Sequence, residues 1–173
     1  MSRRIGAVVM ASVFAAGLGA GFLAAKGTVS PEVYRGKDPK AAGLALLQLA
    51  EEQAGSGSWE RIGVGRVYYL SGDKAKGQAI FDSVAKKAER GDWERIAKVY
   101  AEAGEWEKAE PIFRRINTGK EDDAGLALAG ALFNLHGDRK TAEEVFDRSF
   151  KRKSDEVWNT LNAAGSYLGV QPN

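Results

Sequence analysis

The sequence predicts an all-α fold: an α-solenoid of about three helical hairpins with capping helices, preceded by an N-terminal hydrophobic helix. Three observations carry that prediction. First, within Asp92 to Ile116 the residues Trp93, Ile96, Ala97 and Tyr100 fall on one stripe of a helix. A turn follows at Gly104 and Glu105, and Ala109, Phe113 and Ile116 form the matching stripe of a second helix. Second, the pattern recurs. Small residues at Ala42, Gly77, Ala109 and Ala142 stand 35, 32 and 33 residues apart, and four positions after each comes a large apolar one, Leu46, Phe81, Phe113 and Phe146. Third, turn glycines at Gly72, Gly104, Gly137 and Gly169 keep step at intervals of 32, 33 and 32, the first three followed by Asp73, Glu105 and Asp138. A hairpin of this length has apolar surface that it cannot cover alone, so a fixed period means stacked copies.

Taken in order, residues 1–27 stand apart from the repeats as an N-terminal transmembrane anchor or signal peptide. Arg3 and Arg4 precede an uncharged run from Ile5 to Ala25 that Lys26 closes, and its 21 residues suffice for a helix to cross a bilayer. No strict Ala-x-Ala site occurs, which favours an uncleaved anchor; Gly19-Ala20-Gly21 and Ala25-Lys26-Gly27 are imperfect cleavage sites that keep the signal-peptide alternative open. The arginines outweigh Lys26, so the positive-inside rule leaves the N-terminus in the cytoplasm and the repeats outside it, in the periplasm of a diderm bacterium. Gly17 and Gly21 form a Gly-x-x-x-Gly pair, a spacing that lets two membrane helices approach closely and leaves room for a homo-oligomer.

Residues 28–38 are expected to be a juxtamembrane linker, and 39–170 the helical repeat domain. Pro39 suits the first turn of a helix over about 39–53, half a repeat that caps the array, with Ala42, Leu46 and Leu49 inward. Gly55 to Ser58 breaks it. Hairpins are then expected over about 59–71 with 74–88, 92–103 with 106–116, and 123–136 with 139–151, and a closing helix over 155–168 with Trp158 and Leu161 inward. Aligned on the turn glycines, Gly65, Ala97 and Gly130 mark the close-contact position of each first helix, with Tyr68, Tyr100 and Phe133 three residues on. Glycine inside a helix costs about 1 kcal/mol against alanine, so Gly65, Gly77 and Gly130 relieve a steric limit between helix axes about 8–10 Å apart.

These residues resemble the tetratricopeptide repeat (TPR) family, whose pattern runs Trp, Leu, Gly/Ala, Tyr, then Ala, Phe and Ala. Trp93, Ile96, Ala97, Tyr100, Ala109 and Phe113 stand at the family spacing, with Ile116 in place of the last Ala. In the outer copies Arg61 and Leu126 replace the first Trp, and Trp59 lies two residues off register. The resemblance covers about 38–170. It implies a superhelical binding fold and brings no catalytic residues.

Composition narrows the function classes. Twenty-five basic and 23 acidic residues, interspersed, leave a net charge of +2 and no basic stripe for nucleic acid, and zero cysteines exclude disulfides and thiolate metal sites. His136 alone makes no histidine metal cluster, so no metal and no cofactor is expected. Ser83 and Lys86 have the Ser-x-x-Lys spacing of serine acyl-enzymes, but neither Lys-Thr-Gly nor Ser-Asp-Asn accompanies them, and no catalytic residue is assigned. Trp93 and Trp158 are expected in the core, while Trp106 at the start of a second helix marks a candidate outer patch.

What remains is a groove. In stacked hairpins the first helices line the inner face, and the register places Arg66 and Tyr69, then Arg95, Lys98 and Glu102, then Asn134, then Asn159 and Tyr167 toward it. This set suits an extended peptide or a partner helix. The expected function is a non-catalytic protein-interaction scaffold held at the membrane, with its repeats outside the cytoplasm and a protein or peptide in the groove. A cleaved, soluble periplasmic binding protein serving envelope assembly or polysaccharide export is the alternative, as is a regulatory subunit of a membrane enzyme complex.

Overall fold

Helix boundaries follow local signals. The Asp38 carboxylate accepts from the backbone N–H groups of Lys40 and Ala41, Asp73 from Lys76, and Asp138 from Thr141, at 3.0 to 3.1 Å. Each satisfies donors that a helix start leaves unpaired. At the other ends Gly72, Gly104, Gly137 and Gly169 take φ of 110°, 74°, 87° and 77°, a left-handed conformation that costs glycine little.

The computed structural model describes residues 28–117 and 123–172. The expected anchor or signal peptide at 1–27 lies outside these described residues. Among them are a 3-10 turn, Pro31–Val33, and helices α1 (Pro39–Ala54), α2 (Ser58–Leu70), α3 (Lys74–Ala85), α4 (Arg90–Glu102), α5 (Trp106–Ile116), α6 (Asp123–Leu135), α7 (Arg139–Arg152) and α8 (Val157–Tyr167), with no strand. The fold is all-α. None of these helices is long and apolar enough to cross a membrane.

The helices pack as consecutive pairs, α2 with α3, α4 with α5 and α6 with α7, while α1 lies against α2 and α8 against α6. Within a pair the close approach is real. A Cβ on Gly77 would stand 2.7 Å from the Gly65 carbonyl oxygen and 2.8 Å from the Tyr69 backbone nitrogen. A Cβ on Gly65 or Gly130 would stand 2.6 Å from the ring of Phe81 or Phe146, respectively.

Between pairs the joints are aromatic. Tyr100 of α4 meets Tyr69 edge-on at 5.5 Å and Phe81 at 5.9 Å, and its hydroxyl donates to Gln78 at 2.9 Å. Trp106 of α5 stacks on His136 with ring centroids 4.2 Å apart and meets Phe133 edge-on at 5.5 Å. Trp106 is therefore a half-buried joint between α5 and α6, so the candidate outer patch is not there. One continuous apolar cluster runs from Ile62 through Phe81, Ile96, Phe113, Leu132 and Phe146 to Ala163. A smaller one, Leu47 with Val64 and Tyr68, fastens α1, so Leu47 and not Leu46 is its buried leucine.

The closing helix differs most from expectation. It packs a narrow face of Asn159, Ala163 and Ser166, all buried, against α6, where Asn134 Nδ2 donates to Ser166 Oγ at 3.0 Å. Trp158 and Leu161 consequently point to solvent, 59% and 52% exposed, and are not core residues. The smaller residues Asn159, Ala163 and Ser166 form the face that α8 turns onto α6, which leaves the bulkier Trp158 and Leu161 on the other side.

Candidate functional site

A cleft lies where α2 and α4 run side by side. Its volume is about 300 Å³, and Trp59, Ile62, Gly63 and Arg66 from α2 face Arg95, Lys98, Val99 and Glu102 from α4 across it. Ile62 and Val99 are buried and give the cleft an apolar floor. Gly63 has nothing within 4 Å of where a Cβ would stand, so its missing side chain leaves the cleft wall low. The rim is polar and ordered. Arg66 Nε pairs with Glu102 Oε2 at 2.7 Å, and the Arg95 guanidinium stacks 3.7 Å from the centroid of the Trp59 ring, which is 57% exposed at the first turn of α2.

A second cleft of about 200 Å³ continues the surface. Glu94, Arg95 and Lys98 of α4 and Leu128 of α6 line it, so Arg95 and Lys98 face both clefts and link them along the first helices.

Beside the cleft sits a polar knot at the α4–α5 turn. Glu105 accepts from Tyr69 Oη and from Lys74 Nζ, and pairs with Lys108 Nζ at 2.7 Å. Lys108 also donates to Tyr69 Oη at 2.9 Å. The hydrogen bonds from Lys108, Lys74 and Tyr69 hold the Glu105 carboxyl at a pKa of about 2, while burial and then the Glu105 contact push the Tyr69 phenol up. The knot ties α2 and α3 to α5 and to the α4–α5 turn.

The structure divides the eight expected groove residues. Arg66, Arg95, Lys98 and Glu102 come together in one cleft. Tyr69 does not join them. It is 1% exposed, with its ring among Phe81 and Tyr100 and its hydroxyl in the Glu105 knot. Asn159 is fully buried against α6. For these two the groove assignment is corrected: the α2 and α8 faces that carry them are packing faces. Asn134 spends its amide on Ser166. Tyr167 lies apart, half exposed, under the Arg139 guanidinium at 5.2 Å and beside Phe146 at 6.2 Å. Trp59 is the cleft residue that the repeat pattern alone misses. Its signal was its displacement by two residues from the Trp93 register, which turns an indole away from the core stripe.

Two other candidates have structural partners. Ser83 Oγ accepts from Arg61 at 2.6 Å and donates to the Ile80 carbonyl, so it bridges α2 and α3. His136, stacked on Trp106, has its pKa lowered by burial. Among the described residues no group of three or more histidine, aspartate or glutamate side chains is placed to hold a metal ion. No protein-family model, no curated protein and no solved structure matches this chain.

Proposed function

We propose that the protein is a non-catalytic interaction scaffold. Its helical pairs form a TPR-like α-solenoid, its N-terminal segment holds it at the membrane with the repeats outside the cytoplasm, and the α2–α4 cleft receives an extended segment of a partner protein. The observation that supports this reading is the convergence of Trp59, Arg66, Arg95, Lys98 and Glu102 over the floor of Ile62 and Val99. An apolar side chain of the partner enters between Ile62 and Val99 beside the Trp59 ring. Arg95 and Lys98 donate to its backbone carbonyls and carboxylates, and the Arg66–Glu102 pair keeps the wall in place. Exposed pairs of this kind contribute roughly 0–1 kcal/mol to folding, so these residues are free to serve recognition. Anchoring confines scaffold and co-resident partner to one surface and raises their effective concentration.

Affinity capture of the full chain tests the cleft directly. Arg95→Glu and Lys98→Glu are expected to lose the partner while retaining the wild-type melting temperature; unchanged recovery removes the cleft from the reading. The mature N-terminus tests the anchor. Met1 or Ser2 at the start agrees with it, and Thr28 at the start replaces it with the cleaved periplasmic form.

A further inference from the structure

Helix α8 presents a surface of a different kind. From Val157 to Asn173 the sequence has no charged side chain, in a chain that is 28% charged. The exposed side of α8 and the tail after it carries Val157, Trp158, Leu161, Leu168 and Val170, each more than half exposed. Counted back from the turn glycines, Trp158 and Leu161 hold the places that Leu126 and Ala129 hold in α6 and Trp93 and Ile96 hold in α4. Those counterparts are packed in the core or against it. In α8 the same stripe faces outward, because the helix has turned Asn159, Ala163 and Ser166 onto α6.

The patch also has relief. Beside Trp158 lies a cleft of about 310 Å³, walled by Leu161, Gly165, Leu168, Val170 and Pro172. An apolar cavity of about 150 Å³ holds benzene, so this one has room for an indole. One surface thus bears both a protruding tryptophan and a hollow that fits it. That is the property of a patch that binds its own copy about a two-fold axis, where residue i of one copy meets residue j of the other and the reverse.

We propose that the α8 face is a homodimer interface, in which Trp158 of each copy inserts into the α8–tail cleft of the other. A second copy is the occupant that matches the patch twice over. It supplies the indole that the cleft fits, and it brings no charge to an uncharged surface. The five exposed side chains offer on the order of 500 Å² of apolar surface per copy, and the intervening Asn162 and Ala164 carry the total toward the roughly 800 Å² per partner of a standard interface. An interface of this size suits a weak, reversible dimer, and the membrane attachment proposed above would favour it by raising the effective concentration of the two copies. The proposal stands apart from the α2–α4 cleft, which shares no residue with this patch.

The chain has no cysteine, so one introduced thiol reports without background. In the full chain kept in its native membrane, Asn162→Cys is expected to give a disulfide-linked species at twice the chain mass on mild oxidation, and Lys98→Cys is not. In detergent, the full chain is expected to show a concentration-dependent monomer–dimer equilibrium by sedimentation. Trp158→Asp should raise its dissociation constant at least tenfold while leaving the melting temperature unchanged at a dilution where the wild type is monomeric, and Leu161→Lys should do the same. A crosslink from position 162 to a different protein overturns the proposal. So does the absence of any crosslink, or a dimer that both substitutions leave intact.

Discussion

Trp59 and Trp158 are exposed almost equally, at 57% and 59%, and stand in opposite company. Trp59 is covered on one face by Arg95 and opens onto a rim of Arg66, Lys98 and Glu102. Trp158 opens onto leucine, valine, glycine and proline without a charge. Equal exposure therefore marks two different surfaces. A rim of donors and acceptors around an apolar floor selects among peptide segments, because a wrong partner leaves charged groups unpaired. A bare apolar face with a hollow selects by shape, and its best ligand is another apolar face.

The contrast sharpens against residues that serve packing alone. Phe113→Ala, which empties a fully buried site between α4 and α5, should cost about 3–5 kcal/mol in denaturant unfolding, well beyond any change at either exposed tryptophan. Gly77→Ala should cost about 1–3 kcal/mol. The added methyl meets backbone at Gly65 and Tyr69, which cannot turn aside as a ring can, so the loss should exceed that of Gly130→Ala, whose methyl meets the Phe146 ring. Glu105→Gln should cost about 1 kcal/mol at pH 7. The folded pKa of Glu105, about 2, lies below the unfolded value near 4.3, so its contribution is present above about pH 4.3 and is lost as pH falls through about 2. The gap between variant and wild type should close over that window in thermal melts. Smallest of all, Trp59→Ala and Trp158→Ala should each stay within about 0.5 kcal/mol of wild type. A loss of 2 kcal/mol at either would make that tryptophan a packing residue and erase the contrast.

Much of the fold was legible because its signals are local. Helices start at Pro39, Lys74 and Arg139, where the turn signals place them, and the four turn glycines take left-handed φ in step with the repeat. Gly65, Gly77 and Gly130 were legible as close contacts because a glycine inside a helix needs a steric reason. The cleft was half legible. Arg66, Arg95, Lys98 and Glu102 followed from the repeat register. Tyr69 did not, because α2 is covered on two sides, by α1 and by α4, and so buries both members of the Tyr68–Tyr69 pair. Asn159 and Trp158 exchanged their expected places for a reason no period reveals. The rotation of a terminal helix is set by which of its faces fits the last neighbour, and with no further helix packed beyond α8 among the described residues, the small face prevailed.

The most direct measurement is photo-crosslinking in the full chain, in its own membrane, with the reactive side chain placed at Lys98 in one protein and at Trp158 in another. Two surfaces with two functions predict two adducts: from position 98 a species containing a different protein, and from position 158 a species of twice the chain mass. No adduct at 98, or the same adduct from both positions, would contradict the account.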